Sequence, residues 1–221
     1  MSLTLDLLAV SVGLPAPLGL WQGEVVSSGI RKLPVTAPHV TVTALNIAGD
    51  GQADLAVHGG VDKAVYAYPA DHWPWWQAET GLSAAPATFG ENLTLRGADE
   101  HDVRIGDRFR WGEIALEISQ PRGPCYKLGL LTGRPDDPAR MTISTRTGWY
   151  FRVLKEGQAP TSGTLTRTHS NETEPTVHEA FIAIYRPRVM SNIIEKVLAS
   201  PKLSPMWRHG LQRRLDAAKT S

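Results

Sequence analysis

The sequence predicts a mainly β protein, a barrel or sandwich, followed by a small helical C-terminal unit. Two observations carry this. The first two thirds hold many short alternating or β-branched runs separated by Gly, Pro or Asp, the pattern of an all-β barrel or sandwich. In the last quarter the apolar spacing changes from two to three and four, which is the helical period.

The strands are expected in order at "LLAVSVG", "GEVVSSGIRK", "VTVTALNI", "KAVYAY", "RFRW" and "EIALEIS". The stretch "MSLTLDLLAVSVGLPAPLGLWQ" reads as a first strand and not as a signal peptide, because Asp6 interrupts it and no basic segment precedes it. Gly106-Asp107 and Trp111-Gly112 punctuate a hairpin around "GDRFRWGEIALEI". One helix is expected at "PADHWPWWQAETG", with Pro74 in its first turn, where a missing N–H does no harm, and Gly81 at its end. In the tail, Thr176 and Glu179 form a capping-box pattern, and Val177, Ala180, Phe181 and Ile184 share one face. Met190, Ile193, Ile194 and Val197 repeat the spacing. Ser204 and Pro205 open a third helix striped by Trp207, Leu211 and Leu215. Helices this short are not stable alone, so they must pack on each other or on the barrel. The division expected is a barrel over residues 1–168 and a linker plus three-helix unit over 169–221.

Composition narrows the function classes. The chain has 221 residues, 42% of them hydrophobic and 20% charged, enough for a substantial core and too little charge for wholesale disorder. No run approaches the roughly 18 apolar residues of a membrane helix. The single cysteine makes no internal disulfide and fits a reducing, cytoplasmic location. Net charge is +1, but Arg186–Ser221 alone carries eight Lys/Arg against two Asp/Glu, a balance of +6. Such a tail is a solvated face or a docking surface. "MWRHGLQRRL" also admits a nucleic-acid reading, although packing accounts for its apolar stripe and binding to nucleic acid is not expected. HExxH, GxxxxGK[ST], GxSxG and CxxC are all absent.

Three stretches carry possible chemistry. "VHGGVDKAVY" puts His58, Asp62 and Lys63 beside a Gly59-Gly60 bend, either a plausible anion cradle or an ordinary turn. "FGENLTLRG" puts Glu91 and Asn92 before a strand, a turn or a polar pair aimed at a heterocycle. "SQPRGPCYKLG" holds Cys125 directly after Pro124, between Arg122 and Lys127. Pro121 and Pro124 stiffen this as a non-helical bend. The cations suit a thiolate or a soft-metal ligand, and a buried inert cysteine remains the alternative. "RTGWYFRVLKEG" adds Arg146 and Arg152, and "SSGIRK" adds Arg31 and Lys32.

Taken together and in order, "HGGVDKAVYAYPADHWPWW", "FGENLTLRG", "RIGDRFRWGEIALEISQPRGPCYKL" and "GWYFRVLKEG" resemble the MOSC domain family, more narrowly its YiiM-like bacterial members. The match runs from about Ser27 to Gly157, and the tail resembles the three-helix domain of those proteins. The resemblance implies a MOSC-type β-barrel that binds molybdenum cofactor (molybdopterin), with Cys125 as the molybdenum ligand. It implies reduction of small N-hydroxylated bases and related compounds, with electrons from an external flavoprotein reductase. On that reading Lys63, Arg122, Arg146 and Arg152 are candidates for the pterin phosphate or carbonyl groups. Glu91 and Asn92 hold the pterin ring or orient substrate, and His58 or Asp62 delivers protons. The alternative keeps the fold and makes the protein a cofactor-binding or sulfur-carrying protein that uses Cys125 without reducing anything.

Overall fold

The computed structural model describes residues 3–53, 59–186 and 188–219. Strand β1 (Thr4–Val12) turns Leu5 and Leu7 inward and Thr4 and Asp6 outward, the alternation of a half-buried strand. A hairpin follows, β2 (Ala16–Trp21) and β3 (Glu24–Ser28). Gln22 (φ 52°) and Gly23 (φ 87°) between them are both left-handed, as a tight hairpin turn requires. Then come β4 (Leu33–Pro34), β5 (His39–Val42), β6 (Val65–Pro69), α1 (Trp73–Thr80), β7 (Leu93–Arg96), β8 (Arg108–Trp111) and β9 (Ile114–Pro121). Two short helices, α2 (Tyr126–Thr132) and α3 (Asp137–Ser144), precede β10 (Trp149–Lys155), β11 (Gly157–Pro160) and β12 (Gly163–His169). The chain ends in α4 (Val177–Tyr185), α5 (Ser191–Ala199) and α6 (Pro205–Lys219).

Seven strands close a barrel in the order β12-β8-β9-β10-β6-β7-β1, sealed by β1 pairing β12 from Thr4↔Thr166 to Leu7↔Gly163. Every barrel pair is antiparallel except β6–β7, which is parallel and therefore needs a crossover connection, here the segment containing α1. Phe109, Trp111, Trp149 and Phe151 fill the interior with aliphatic neighbours from β1, β6, β7 and β9. Strand β6 is buried on both faces. Val65 and Ala67 belong to the barrel core, while Tyr66 and Tyr68 join Trp76, Phe89, Leu128 and Met141 in a second cluster under α1, α2 and α3. That second cluster backs the cleft described below.

The expected mainly β barrel with three C-terminal helices is present. Thr176 Oγ1 accepts from Glu179 N at 3.0 Å and the Glu179 carboxylate accepts from Thr176 N at 2.8 Å, so the capping box is complete. The N-terminal stretch expected as one strand is two, split at Gly13-Leu14-Pro15. Helices α2 and α3 were not expected from the sequence; each is eight residues or fewer, with Gly129 inside the first and Pro138 in the first turn of the second. The basic tail is also less of a free surface than its charge suggests. Arg208 donates to the carbonyls of Leu198 and Ser200 at the end of α5, and Arg214 to those of Ala183 and Arg186 at the end of α4. Cations there satisfy the unpaired carbonyls of helix C-termini. No helix among the described residues is long and apolar enough to cross a membrane.

Candidate functional site: the Cys125 cleft

The last residue of β9 is Pro121, and the chain leaves the barrel through Arg122-Gly123-Pro124. Arg122 N donates to Gly148 O at 3.2 Å, tying this bend to the start of β10. Cys125 then caps α2 in an extended conformation (φ −139°, ψ 164°), and its carbonyl accepts from Leu128 N at 3.0 Å. The thiol is free and half-buried. Pro124, with fixed φ and no donor, keeps the residue before the cap out of the helix. The thiol therefore sits where a strand end and a helix start converge.

It faces a cleft with about 650 Å³ of non-atom space, partly open to solvent. Arg122, Gly123, Cys125 and Lys127 form one side; Ser28, Gly29, Ile30 and Lys32 another; Asp50 to Ala53, Lys63, Tyr66, Phe89, Gly90, Asn92 and Tyr150 complete it. Two glycines let the loops close upon each other. A Cβ on Gly29 would lie 1.9 Å from the Gly51 carbonyl oxygen, and one on Gly90, at φ 79°, would lie 2.4 Å from the Ile30 side chain. Only glycine tolerates such approaches.

The lining is strongly cationic. Among the described residues it holds Lys32, Lys63, Arg122 and Lys127 against one acid, Asp50. Asp50 is buried and fully used: it pairs with Lys32 Nζ and accepts from Gly13 N at 2.9 Å and Asn92 Nδ2 at 3.0 Å. Burial pulls the Lys32 pKa down, against the pull of Asp50. Arg122 is buried, with its guanidinium carbon 5.3 Å from the Tyr66 ring centroid and Nη1 2.9 Å from Met141 Sδ. Burial opposes its charge, yet Tyr66, Cys125 and Tyr150 outweigh it and raise the Arg122 pKa above the ordinary guanidinium value. Burial likewise raises the pKa of Tyr66 and of Tyr150, with Arg122 pulling both down. Both phenols are therefore neutral hydroxyls at neutral pH, and that of Tyr66 donates to Thr147 O at 2.8 Å.

The structure brings Cys125, Arg122, Lys63 and Asn92 to one cleft. It does not bring Asp62, Glu91, Arg146 or Arg152 there. Glu91 is wholly buried behind the lining, accepting from Ala87 N, Phe89 N and Thr94 Oγ1 at 2.9, 3.0 and 3.0 Å. It clamps a loop instead of facing a heterocycle, and burial raises its pKa. The Asn92 amide lines the cleft but is already committed to Tyr66 N, Ser11 O and Asp50. Arg152 shares the outer face of β10 with Tyr150, but two residues further on it meets Asp62 at 2.7 Å and Glu117 at 3.0 Å. That contact turns Asp62 away from the cleft as well. Arg146 lies 4.8 Å from the Trp75 ring centroid and donates to Ser144 O. His58 lies outside the described residues.

Lys32, which the sequence marks only as a basic residue near a turn, and Lys127, which it marks as a cation beside the thiol, both line the cleft. Asp50, Tyr66 and Tyr150 carry no sequence signal, because each reaches the cleft through pairing of distant strands and loops. Among the described residues no group of three or more His, Cys, Asp or Glu could hold a metal by itself.

Residues 54–163 match the model of the MOSC domain. The uncharacterized protein YflK of Bacillus subtilis is 37% identical over 211 residues, 96% of this chain and 95% of that protein. Protein YiiM of Escherichia coli is 33% identical over 213 residues, 92% and 94% of the two chains. A Gibberella moniliformis protein described as a reductase is 36% identical over 139 residues, 61% of this chain and 24% of its own length. The crystal structure of YiiM from Geobacillus stearothermophilus superposes with a TM-score of 0.79 at 30% identity, covering 96% of this chain and 99% of that one. With its closed barrel, its helical tail and full-length likeness to these proteins, the chain belongs to the MOSC domain family, among its YiiM-like members.

Proposed function

We propose that this chain holds a molybdenum cofactor in the Cys125 cleft and uses it to reduce N-hydroxylated compounds, such as N-hydroxylated bases, to amines, with electrons from a separate flavoprotein reductase. The single observation that carries this is the half-buried free thiol of Cys125 opening into a cleft whose described lining holds four cations and one acid. A thiolate is a soft ligand suited to a metal centre. One protein sulfur is a full protein share for a cofactor that brings its own dithiolene sulfurs, which agrees with the lack of a three-ligand cluster among the described residues. The excess of positive charge among the described lining residues suits the cofactor's phosphate and sulfurs. The relative described as a reductase supports a redox role.

When bound, the group supplies a two-electron reduction: the N–O bond of the substrate breaks, two electrons and two protons enter, and an amine and water leave. The chain's own residues bind and orient. Arg122 and Lys127 flank the thiol and offset negative charge beside it. Lys32, held by Asp50, and Lys63 add further positive charge to the cleft lining. Tyr150 offers a neutral phenol on the cleft surface. The reading places the protein in the cytoplasm, where an unpaired thiol stays reduced.

The test is the molybdenum and pterin content of protein from a cofactor-competent host, beside Cys125→Ser, followed by turnover of an N-hydroxylated base with a flavoprotein reductase. Stoichiometric molybdenum that is lost in Cys125→Ser, with turnover by the loaded protein, is the expected result. Loading without turnover moves the protein to cofactor binding or sulfur carriage; failure to load in a competent host defeats the reading.

A further inference from the structure

The helical unit reaches the cleft beside the Cys125 bend, at Gly123. Gly123 stands two residues before Cys125 and lines the cleft. Its backbone is not left-handed, so conformation does not demand glycine there. Space does. A Cβ on Gly123 would lie 2.6 Å from the hydroxyl oxygen of Tyr185, at the C-terminal end of α4; the next atoms are Tyr185 Cζ at 3.7 Å and Trp207 Cζ3 at 3.9 Å, both ordinary contacts. The hydroxyl alone fills the place of the missing methyl.

The ring that carries this hydroxyl is 36% exposed and is held by its aromatic neighbours. It stacks on Phe181 with centroids 4.5 Å apart and planes 18° apart, and lies 6.1 Å from the Trp207 ring. The unit behind it is bonded to the same strand that leads into the bend. Ser204 Oγ donates to Gln120 Oε1 at 2.6 Å, and Ser204 N to Ser119 O at 3.0 Å. Lys63, which also lines the cleft, has its Nζ 2.9 Å from Met206 Sδ. Burial raises the Tyr185 pKa, while neighbouring Arg122 pulls it down.

We propose that Tyr185 is a positioning residue for Cys125: its hydroxyl, seated on Gly123, sets the bend that presents the thiol to the cleft, so the C-terminal helices form part of the site. The inference rests on Cys125 being the working group of the cleft, and its test needs no cofactor. In the cofactor-free full-length chain, the rate of Cys125 alkylation by iodoacetamide is measured at one pH for Gly123→Ala, Tyr185→Phe and the double variant, each beside its Tm. Gly123→Ala overfills the contact and Tyr185→Phe underfills it, whereas the double variant moves one heavy atom across it. Residues in contact couple measurably, so each single variant should change the rate by about threefold or more, and the double variant should return it to that of the parent. Unchanged rates in both singles, or a double variant as perturbed as Gly123→Ala, overturn the proposal. If Gly123→Ala does not fold, Tyr185→Phe decides alone: an unchanged rate with an unchanged Tm overturns it. Molybdenum loading does not enter these outcomes, so their failure is separate from failure of the cofactor reading.

Discussion

Glu100 supports the cysteine bend from behind. It is buried, its Oε1 accepts from Thr147 N at 2.7 Å and Gly148 N at 2.6 Å, and its Oε2 lies 2.8 Å from His72 Nε2. Gly148 in turn receives Arg122 N. Burial alone would raise the Glu100 pKa; His72 and backbone amides, that of Gly148 among them, outweigh it and bring it below the ordinary 4.5. A depressed carboxyl stabilises the fold above its unfolded value and loses that contribution as pH falls through the folded one. Glu100→Gln should therefore cost roughly 3 kcal/mol at neutral pH. In thermal melts its deficit in Tm relative to the parent should narrow as pH drops below 4.5. A deficit independent of pH would count against the charge argument. Glu91 has the opposite sign: its raised pKa means that its folded form holds a proton the unfolded form releases, so its contribution weakens as pH rises above 4.5. Nothing in the sequence separates these two glutamates, since the difference lies in which amides and rings surround each one.

At the scale of elements, what was legible followed from periodicity and capping. The capping box at Thr176 and Glu179 is visible as a spacing of three and is present as two reciprocal bonds. Thr176→Ala should lower stability by about 1 kcal/mol, read as a lower urea midpoint with unchanged slope. β6, β8, β9 and β10 were legible because their runs alternate or are wholly apolar. β2, with Pro17 and Gly19 inside it, reads as a continuation of the first strand; it is a separate strand that pairs with β3 and whose Trp21 stacks on Tyr126 at 4.6 Å. α2 and α3 are too short for a periodic signal, and they fold because Leu128 and Met141 bury in the second aromatic cluster. The thiol's place at the cap of α2 was therefore legible only as a stiff bend.

For the molecule as a whole, the helical unit and the barrel share one core. Val177, Phe181, Val197, Trp207 and Leu211 cluster with Phe109, Ile118 and Phe151. Calorimetry should show a single cooperative transition for residues of both parts, and Trp207→Ala should lower its midpoint at a cost of about 3 kcal/mol or more. Two resolved transitions would mean that the helices fold independently. The cleft itself was the least legible feature. Its walls come from segments around residues 30, 50, 63, 90, 125 and 150, and only the closed barrel makes them neighbours.

That closure also sets an order in time. Thr4 pairs with Thr166, so during synthesis β1 must wait for β12, the last strand of the ring in chain order, before the ring can seal. Contacts so far apart in sequence make folding slow. During synthesis, β1 stands with one edge bare until β12 emerges, and a bare edge is where nascent chains stick to one another. The wait is longest for the very strand whose side chains begin the core.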